Sequence, residues 1–180
     1  MKIIVANDIH GITAEVATLL APLGVTKMLS PWAGDVCPPQ DEHAAVTMFL
    51  QGGGIPAYAK RIADAVAKER AILIGFSVGA TSLWHYVATQ DCHPESRAIL
   101  YYGSRIRDAL ELVPRCKTNL IFAEYEASFD PASLLTRLDD TMTSCEILPG
   151  ASHGFMNPLH ARFDADLAAS QIASFRKTYL

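Results

Sequence analysis

The stretch Ala71-Ile72-Leu73-Ile74-Gly75-Phe76-Ser77-Val78-Gly79 decides the fold that this sequence predicts. Its first half is an uninterrupted apolar run, which is typical of a strand buried on both faces of a sheet. Its second half has the pattern Gly-x-Ser-x-Gly, and a segment with apolar residues at helical spacing follows it. The stretch therefore predicts a buried strand, a tight turn that carries Ser77, and a helix.

Short apolar runs alternate with helical patterns over the rest of the chain. Five more runs predict strands, at residues 3–6, 25–29, 98–102, 119–123 and 145–148. Helices are expected between them; Asp130-Pro131 and Asn157-Pro158 each predict a helix start, because an N-cap residue precedes a proline. Apolar strands separated by helices imply a sheet covered on both faces. We therefore expect a doubly wound, mostly parallel α/β sheet of about six strands, in a single domain spanning residues 1–180.

The composition limits the classes of partner. The 180 residues carry a net charge of −4, so we expect no basic surface and no nucleic-acid partner. No apolar run approaches the roughly 18 residues of a membrane span, and the N-terminus lacks a signal-peptide core, which predicts a cytoplasmic protein without a membrane partner. The scattered cysteines lack metal-ligand spacing, which predicts reduced thiols, no metal and no cofactor; they are Cys37, Cys92, Cys116 and Cys145.

Ser77 is the candidate nucleophile. The turn from strand into helix is so tight that side chains two residues before and after the serine would collide, and Gly75 and Gly79 avoid that collision. The hydroxyl is then exposed above the sheet, and the N–H of Val78 at the start of the helix points toward a developing oxyanion. The alternative interpretation is a tight turn made of small residues.

His153 is the candidate base. A serine hydroxyl needs a base at neutral pH, and His153 follows the last predicted strand, between small residues, at the sheet edge where Ser77 is expected. Among the other histidines, His10 follows the first strand and could line the mouth of the site. His43 and His160 are expected on solvated helix faces.

Three carboxylates compete to orient the imidazole, because the acid should follow the strand at 119–123. Glu124 directly adjoins that strand and could belong to it. Asp130 has a role of its own as the N-cap of the helix that Pro131 opens. Glu126 lies just beyond the strand and is favoured, with Asp130 as the alternative acid.

The sequence around these candidates resembles the dienelactone hydrolase family of the α/β-hydrolase superfamily. Residues 4–13 resemble the family's early strand and loop, residues 75–79 its nucleophile turn, and residues 150–155 its histidine loop. Residues 123–126 are similar to its acid motif, which implies Glu126 as the acid. The matches span nearly the whole chain, and the resemblance implies an α/β-hydrolase fold.

The resemblance also implies roles for residues that spacing alone does not assign. It implies that the backbone N–H groups of Ile9 and Val78 form the oxyanion hole, and it places Asp8 where the family carries an acidic residue beside the nucleophile. The founding members use cysteine in place of Ser77, and an arginine after the histidine binds the substrate carboxylate there. We expect substrate contacts from Asp8, His10, Phe76 and Phe155, in a site also lined by Trp32, Tyr125 and Met156.

These residues together predict a serine hydrolase that uses water to cleave a small ester, thioester or lactone. Ser77 attacks the acyl carbonyl, His153 accepts the proton, and Glu126 orients the imidazole. The short segment between the strands at 98–102 and 119–123 leaves no room for a cap domain, which predicts an open site. The alternative is a catalytically silent α/β-hydrolase fold that binds a ligand or a partner protein.

Overall fold

A computed structural model describes residues 1–34, 38–138 and 141–180, so Cys37 lies outside the described residues. Within these ranges the chain forms six strands: β1 (Lys2–Ala6), β2 (Lys27–Leu29), β3 (Ala71–Phe76), β4 (Arg97–Tyr101), β5 (Lys117–Tyr125) and β6 (Thr143–Ser152). The same ranges contain six α-helices: α1 (Ala14–Leu20), α2 (Glu42–Gln51), α3 (Gly54–Val66), α4 (Val78–Val87), α5 (Ala132–Leu138) and α6 (Ala165–Tyr179). Two short 3-10 helices complete the list, at Ala21–Leu23 and Ser104–Asp108.

The six strands form one sheet in the order β2-β1-β3-β4-β5-β6, and every neighbouring pair is parallel. This confirms the predicted parallel α/β sheet. Because all strands run in one direction, their carboxyl ends meet at a single edge, which is where ligands bind in such sheets.

Hydrophobic side chains cover both faces of the sheet. Successive residues of β3 alternate between the faces: Leu73 packs in the cluster that α2, α3, α4 and α5 cover, while Ile72 and Ile74 pack in the cluster that α1 and α6 cover. All six residues of β3 are buried. The continuous apolar run that predicted this strand therefore reflects burial on both sides.

Two predicted boundaries near the C-terminus are wrong. Strand β6 runs on to Ser152, beyond the predicted end at residue 148, because its pairing with β5 resumes after a register irregularity and matches Tyr125 with Ser152. The last helix begins at Ala165, where the carboxylate of Asp164 accepts a hydrogen bond from the N–H of Leu167. Asn157 does not cap this helix, because its side chain is bonded elsewhere.

The segment between β4 and β5 is short. Between β4 and β5 the chain forms only the 3-10 helix Ser104–Asp108 and turns, so no cap lies there, as the segment's length predicted. Across the described ranges, no helix combines the length and the apolar character needed to cross a membrane.

Candidate active site

Ser77 lies in a strained turn between β3 and α4. Its φ of 51° and ψ of −113° are unusual for a residue with a side chain. A Cβ on Gly75 would lie 2.6 Å from the Cα of Ala80, and a Cβ on Gly79 would run into the carbonyl of Ala6. Glycine at both positions therefore lets the turn close while Ser77 keeps its strained backbone.

The Ser77 hydroxyl, the His153 imidazole and the Glu126 carboxylate form a continuous hydrogen-bonded chain. Ser77 Oγ lies 3.0 Å from His153 Nε2, and His153 Nδ1 lies 2.8 Å from Glu126 Oε2. The Glu126 side chain is only 2% exposed, whereas that of His153 is 26% exposed. Because a carboxylate accepts the Nδ1 proton, the neutral imidazole presents an unprotonated Nε2 to the hydroxyl.

The end of the sheet brings these three side chains together. The N–H of His153 donates to the carbonyl of Tyr125, so Glu126 and His153 leave adjacent strands side by side. Ser77 follows β3, three strands from β6 and roughly 14 Å away at the usual strand spacing. The histidine loop therefore folds back across the sheet, and the ring of Tyr102, directly after β4, supports the imidazole with centroids 5.0 Å apart.

The other two candidate carboxylates have different partners. Glu124 belongs to β5, is exposed, and accepts a hydrogen bond of 2.7 Å from the N–H of Gly150. Asp130 is exposed at the start of α5, where its carboxylate accepts from the N–H of Ala132 at 3.0 Å. The predicted helix start at Asp130-Pro131 is thus confirmed, and Glu126 is the carboxylate that bonds the imidazole.

The backbone around Ile9 is held in a defined turn. The N–H of Gly11 donates to the carbonyl of Asp8 at 3.0 Å, and the indole N–H of Trp32 donates to the carbonyl of Ile9 at 2.9 Å. Val78 begins α4, and the Ser77 side chain does not cap that helix. Within the described part of the chain, the N–H groups of Ile9 and Val78 have no protein acceptor. Their role as an oxyanion hole stays a prediction.

Asp8 is buried beside this turn, and both of its carboxylate oxygens have partners. Oδ2 accepts a hydrogen bond of 2.7 Å from the side-chain amide of Asn157, and Oδ1 accepts one of 3.0 Å from the N–H of His10. Desolvation raises the pKa of Asp8 above its ordinary value near 3.8, although the hydrogen bond from Asn157 opposes the shift. The Asp8 carboxylate thus connects the loop after β1 with the loop after β6. Its contact with a substrate stays a prediction.

A cavity of about 620 Å³ adjoins the imidazole. Its wall consists of Glu42, Ser104, Glu124, Tyr125, Glu126, Ala127, Ser128, Ser152, His153, His160 and Arg162. Tyr125, which we expected in the site, is part of this wall.

Most of the large apolar side chains expected in the site are instead buried beneath it. Phe76 stacks on Tyr101 with centroids 5.4 Å apart, and Phe155 packs edge-on against Tyr102 at the same distance. Trp32 and Met156 are also buried, and none of these four side chains forms part of the cavity wall. His10 is half-buried near the site but outside that wall. The substrate contacts of Phe76, Phe155 and His10 stay predictions.

The prediction for His160 is wrong. His160 lies in a turn before α6 rather than on a solvated helix face, and its side chain is only 15% exposed. Its ring packs so closely on Gly154 that a Cβ there would collide with it, and the ring lies 6.3 Å from that of His153 between centroids. Burial lowers the pKa of His160. Its place in the site depends on packing against Gly154, for which the sequence carries no local signal.

The cavity and its surroundings show no arrangement for a metal. Within residues 1–34, 38–138 and 141–180, no three histidine, cysteine, aspartate or glutamate side chains form a group that could hold a metal ion.

The order of the six parallel strands, with helices on both faces, is that of the α/β-hydrolase fold. A Klebsiella pneumoniae protein described as a dienelactone hydrolase is similar over 98% of this chain and 86% of its own, with a TM-score of 0.68 and 16% identity. The dienelactone hydrolase-like promiscuous phosphotriesterase P91 from metagenomic libraries covers 98% of this chain and 85% of its own, with a TM-score of 0.65 and 16% identity. A cold-adapted esterase from an Arctic intertidal metagenomic library is similar over 98% of this chain and 82% of its own, with a TM-score of 0.59 and 18% identity.

The sequence also has a relative at higher identity. Uncharacterized protein YczH of Bacillus subtilis (strain 168) is 31% identical over 175 residues, which cover 92% of this chain and 85% of that protein. The chain belongs to the same family as YczH. No family model matches the sequence.

Proposed function

We propose that this protein is a serine hydrolase that cleaves a small ester, thioester or lactone. Ser77 is the nucleophile, His153 the general base and Glu126 the acid that orients the imidazole. The observation that supports this proposal is the continuous chain of hydrogen bonds, 3.0 Å from Ser77 to His153 and 2.8 Å from His153 to Glu126. A turn of small residues without a catalytic role would not require a buried carboxylate behind the histidine.

In the acylation step, the Ser77 hydroxyl attacks the acyl carbonyl carbon while His153 Nε2 takes its proton. The buried Glu126 carboxylate stabilises the imidazolium that forms. The carbonyl oxygen becomes an oxyanion, and the N–H groups of Ile9 and Val78 are the donors for it. The imidazolium then protonates the leaving alcohol oxygen as the bond between carbon and that oxygen breaks.

In the second step, water attacks the acyl carbon of the ester on Ser77. His153 takes a proton from that water and returns it to Ser77 as the acid product leaves. Each group thus acts in both steps, and the atoms of the site return to their starting state.

Labelling with a fluorophosphonate probe tests the proposal. The expected result is a single adduct on Ser77, located by peptide mass spectrometry, together with hydrolysis of p-nitrophenyl acetate; Ser77→Ala should lose both. A folded protein without an adduct or turnover would instead support the catalytically silent alternative. A panel of esters, thioesters and lactones with short acyl groups would then rank the three substrate classes.

A further inference from the structure

In the described part of the chain, the cavity beside His153 has no aliphatic side chain larger than alanine in its wall. Among the described residues, that wall contains no leucine, isoleucine, valine, methionine or phenylalanine, and only Tyr125 and Ala127 add carbon-rich surface. Hydroxyl groups come from Ser104, Ser128 and Ser152. Small-molecule sites are usually lined mainly by apolar and aromatic side chains, so this wall suits a ligand rich in hydrogen-bonding groups.

The position of the cavity indicates which half of the substrate enters it. His153 and Glu126 belong to its wall, whereas Ser77 does not. In the proposed reaction His153 gives its proton to the leaving oxygen, so the alcohol half of the ester lies on the imidazole side of Ser77. The polar cavity is therefore placed to receive the alcohol rather than the acyl group.

His160 offers a hydrogen-bond donor and Glu42 an acceptor, and the two groups do not bond to each other directly. His160 Nδ1 accepts a hydrogen bond of 3.1 Å from the N–H of Arg162, so the neutral ring carries its hydrogen on Nε2. That Nε2 lies 3.9 Å from Glu42 Oε2, which is too far for a direct hydrogen bond. A hydroxyl group placed beside this pair, about 2.8 Å from each atom, would accept from His160 and donate to Glu42.

The charges on the wall do not favour an anionic alcohol. The wall carries three carboxylates, those of Glu42, Glu124 and Glu126, against the single guanidinium of Arg162. Glu42 is more than half exposed, so solvent screens its charge, and Glu124 already accepts the N–H of Gly150. Hydrogen bonding rather than net charge is thus the main means of recognition that this wall offers.

From these observations we propose that the substrate is an ester of a small acyl group with an uncharged, polyhydroxylated alcohol. The cavity binds the alcohol half, and His160 with Glu42 recognises one of its hydroxyl groups. This inference rests on the proposed function and specifies the substrate class of the same site.

Two acetate esters with the same carbon skeleton test the inference. Glyceryl monoacetate and propyl acetate share the acyl group and differ only in the hydroxyl groups of the alcohol. After each kcat/KM is divided by the rate of hydroxide-catalysed hydrolysis of the same ester, we expect the glyceryl ester to be preferred by at least about fivefold, since one hydrogen bond is worth about that factor. Equal values in an active enzyme would overturn the inference.

Variants of the wall locate the preference. His160→Phe removes the donor, and we expect the ratio of the two kcat/KM values to fall about fivefold, whereas His160→Gln should retain part of it. Ser128→Ala, at an exposed position of the wall, should also lower the ratio. The matched control is His43→Phe, because His43 is exposed on α2 outside the cavity and the ratio should not change. A ratio unaffected by His160→Phe and by Ser128→Ala would contradict the assignment.

Two further outcomes separate the causes of failure. If acetylcholine is hydrolysed more efficiently than glyceryl monoacetate, the cavity selects positive charge and the inference is wrong while the proposed function stands. If the fluorophosphonate labels no Ser77 and neither ester is hydrolysed, the proposed function fails, and the inference fails with it.

Discussion

Asn157 donates a hydrogen bond of 2.7 Å to the buried carboxylate of Asp8, which lies 149 residues earlier in the chain. Asp8 adjoins Ile9, a candidate oxyanion donor, and Asn157 follows the loop that carries His153. This contact therefore holds the two loops in one position relative to each other. Because the other Asp8 oxygen accepts from the N–H of His10, the carboxylate has a partner on each side.

The two side chains should be energetically coupled. Asn157→Ala leaves a buried carboxylate without its amide donor, so we expect a loss of about 2 kcal/mol in the free energy of unfolding. Asp8→Ala should cost a similar amount, and the double variant should cost clearly less than the two single losses together. Urea unfolding of the four proteins measures the coupling; strictly additive losses would show that the contact contributes nothing.

The stability that Asp8 provides should depend on pH with a defined sign. Its pKa is raised in the folded protein, so ionising it costs more in the folded than in the unfolded state. The wild type should therefore lose stability as the pH rises from about 4 through the folded-state pKa of Asp8, relative to Asp8→Asn, which cannot ionise. Urea unfolding of both proteins between pH 4 and 8 tests this, and a difference that stays constant or grows with pH would contradict it.

The identity of the acid can be tested with two conservative substitutions. Glu126→Gln removes the charge that stabilises the imidazolium and fixes the tautomer, so kcat on p-nitrophenyl acetate should fall by about three orders of magnitude. Asp130→Asn is the matched control, because asparagine caps a helix as well as aspartate does, and its kcat should stay within about twofold of the wild type. The opposite pattern would transfer the role to Asp130.

The indole of Trp32 should matter for turnover more than for folding. Trp32→Phe removes the hydrogen bond to the carbonyl of Ile9, so the turn becomes less well held and kcat should fall about fivefold with little change in KM. Trp84→Phe is the control, since Trp84 is also buried and donates to a backbone carbonyl, that of Ala109, at the same 2.9 Å. Equal effects of both variants on kcat would indicate a general loss of stability instead.

Gly79 should tolerate no side chain. The Cβ of Gly79→Ala would run into the backbone of Ala6, which is part of the central strands and cannot move away, so we expect a loss of about 3 kcal/mol or failure to fold. In Gly52→Ala the new Cβ would make ordinary contacts of 3.4 Å and 3.5 Å, and stability should change by less than about 0.5 kcal/mol. Thermal unfolding compares the two; similar melting temperatures would refute the steric argument for the turn.

The sheet could be predicted because its central strands β1, β3 and β4 are apolar on both faces. Each of the six predicted runs overlaps an observed strand, and the run at residues 71–75 differs from Ala71–Phe76 by a single residue. The meeting of Ser77, His153 and Glu126 also followed from the sequence, since each was expected beyond the carboxyl end of a strand. Parallel strands bring such positions to one edge whatever their separation in the chain.

What the sequence could not indicate depends on contacts between distant residues. Asn157-Pro158 has the pattern of a helix start, but the amide of Asn157 is bonded to Asp8, and the helix begins only after Asp164. His160 is predicted on that helix, but it packs on Gly154 at the cavity wall. The apolar residues expected in the wall, such as Phe76, point into a core that only the folded sheet defines.

The lack of a cap between β4 and β5 has a kinetic consequence. The segment between β4 and β5 forms only a short 3-10 helix and turns, so no lid from that segment has to move before a substrate enters or an alcohol departs. Enzymes with lids are often limited by the opening of the lid. No such step is expected from the segment between β4 and β5, so protein held in a crystal lattice or fixed to a support should keep much of the turnover rate that it has in free solution.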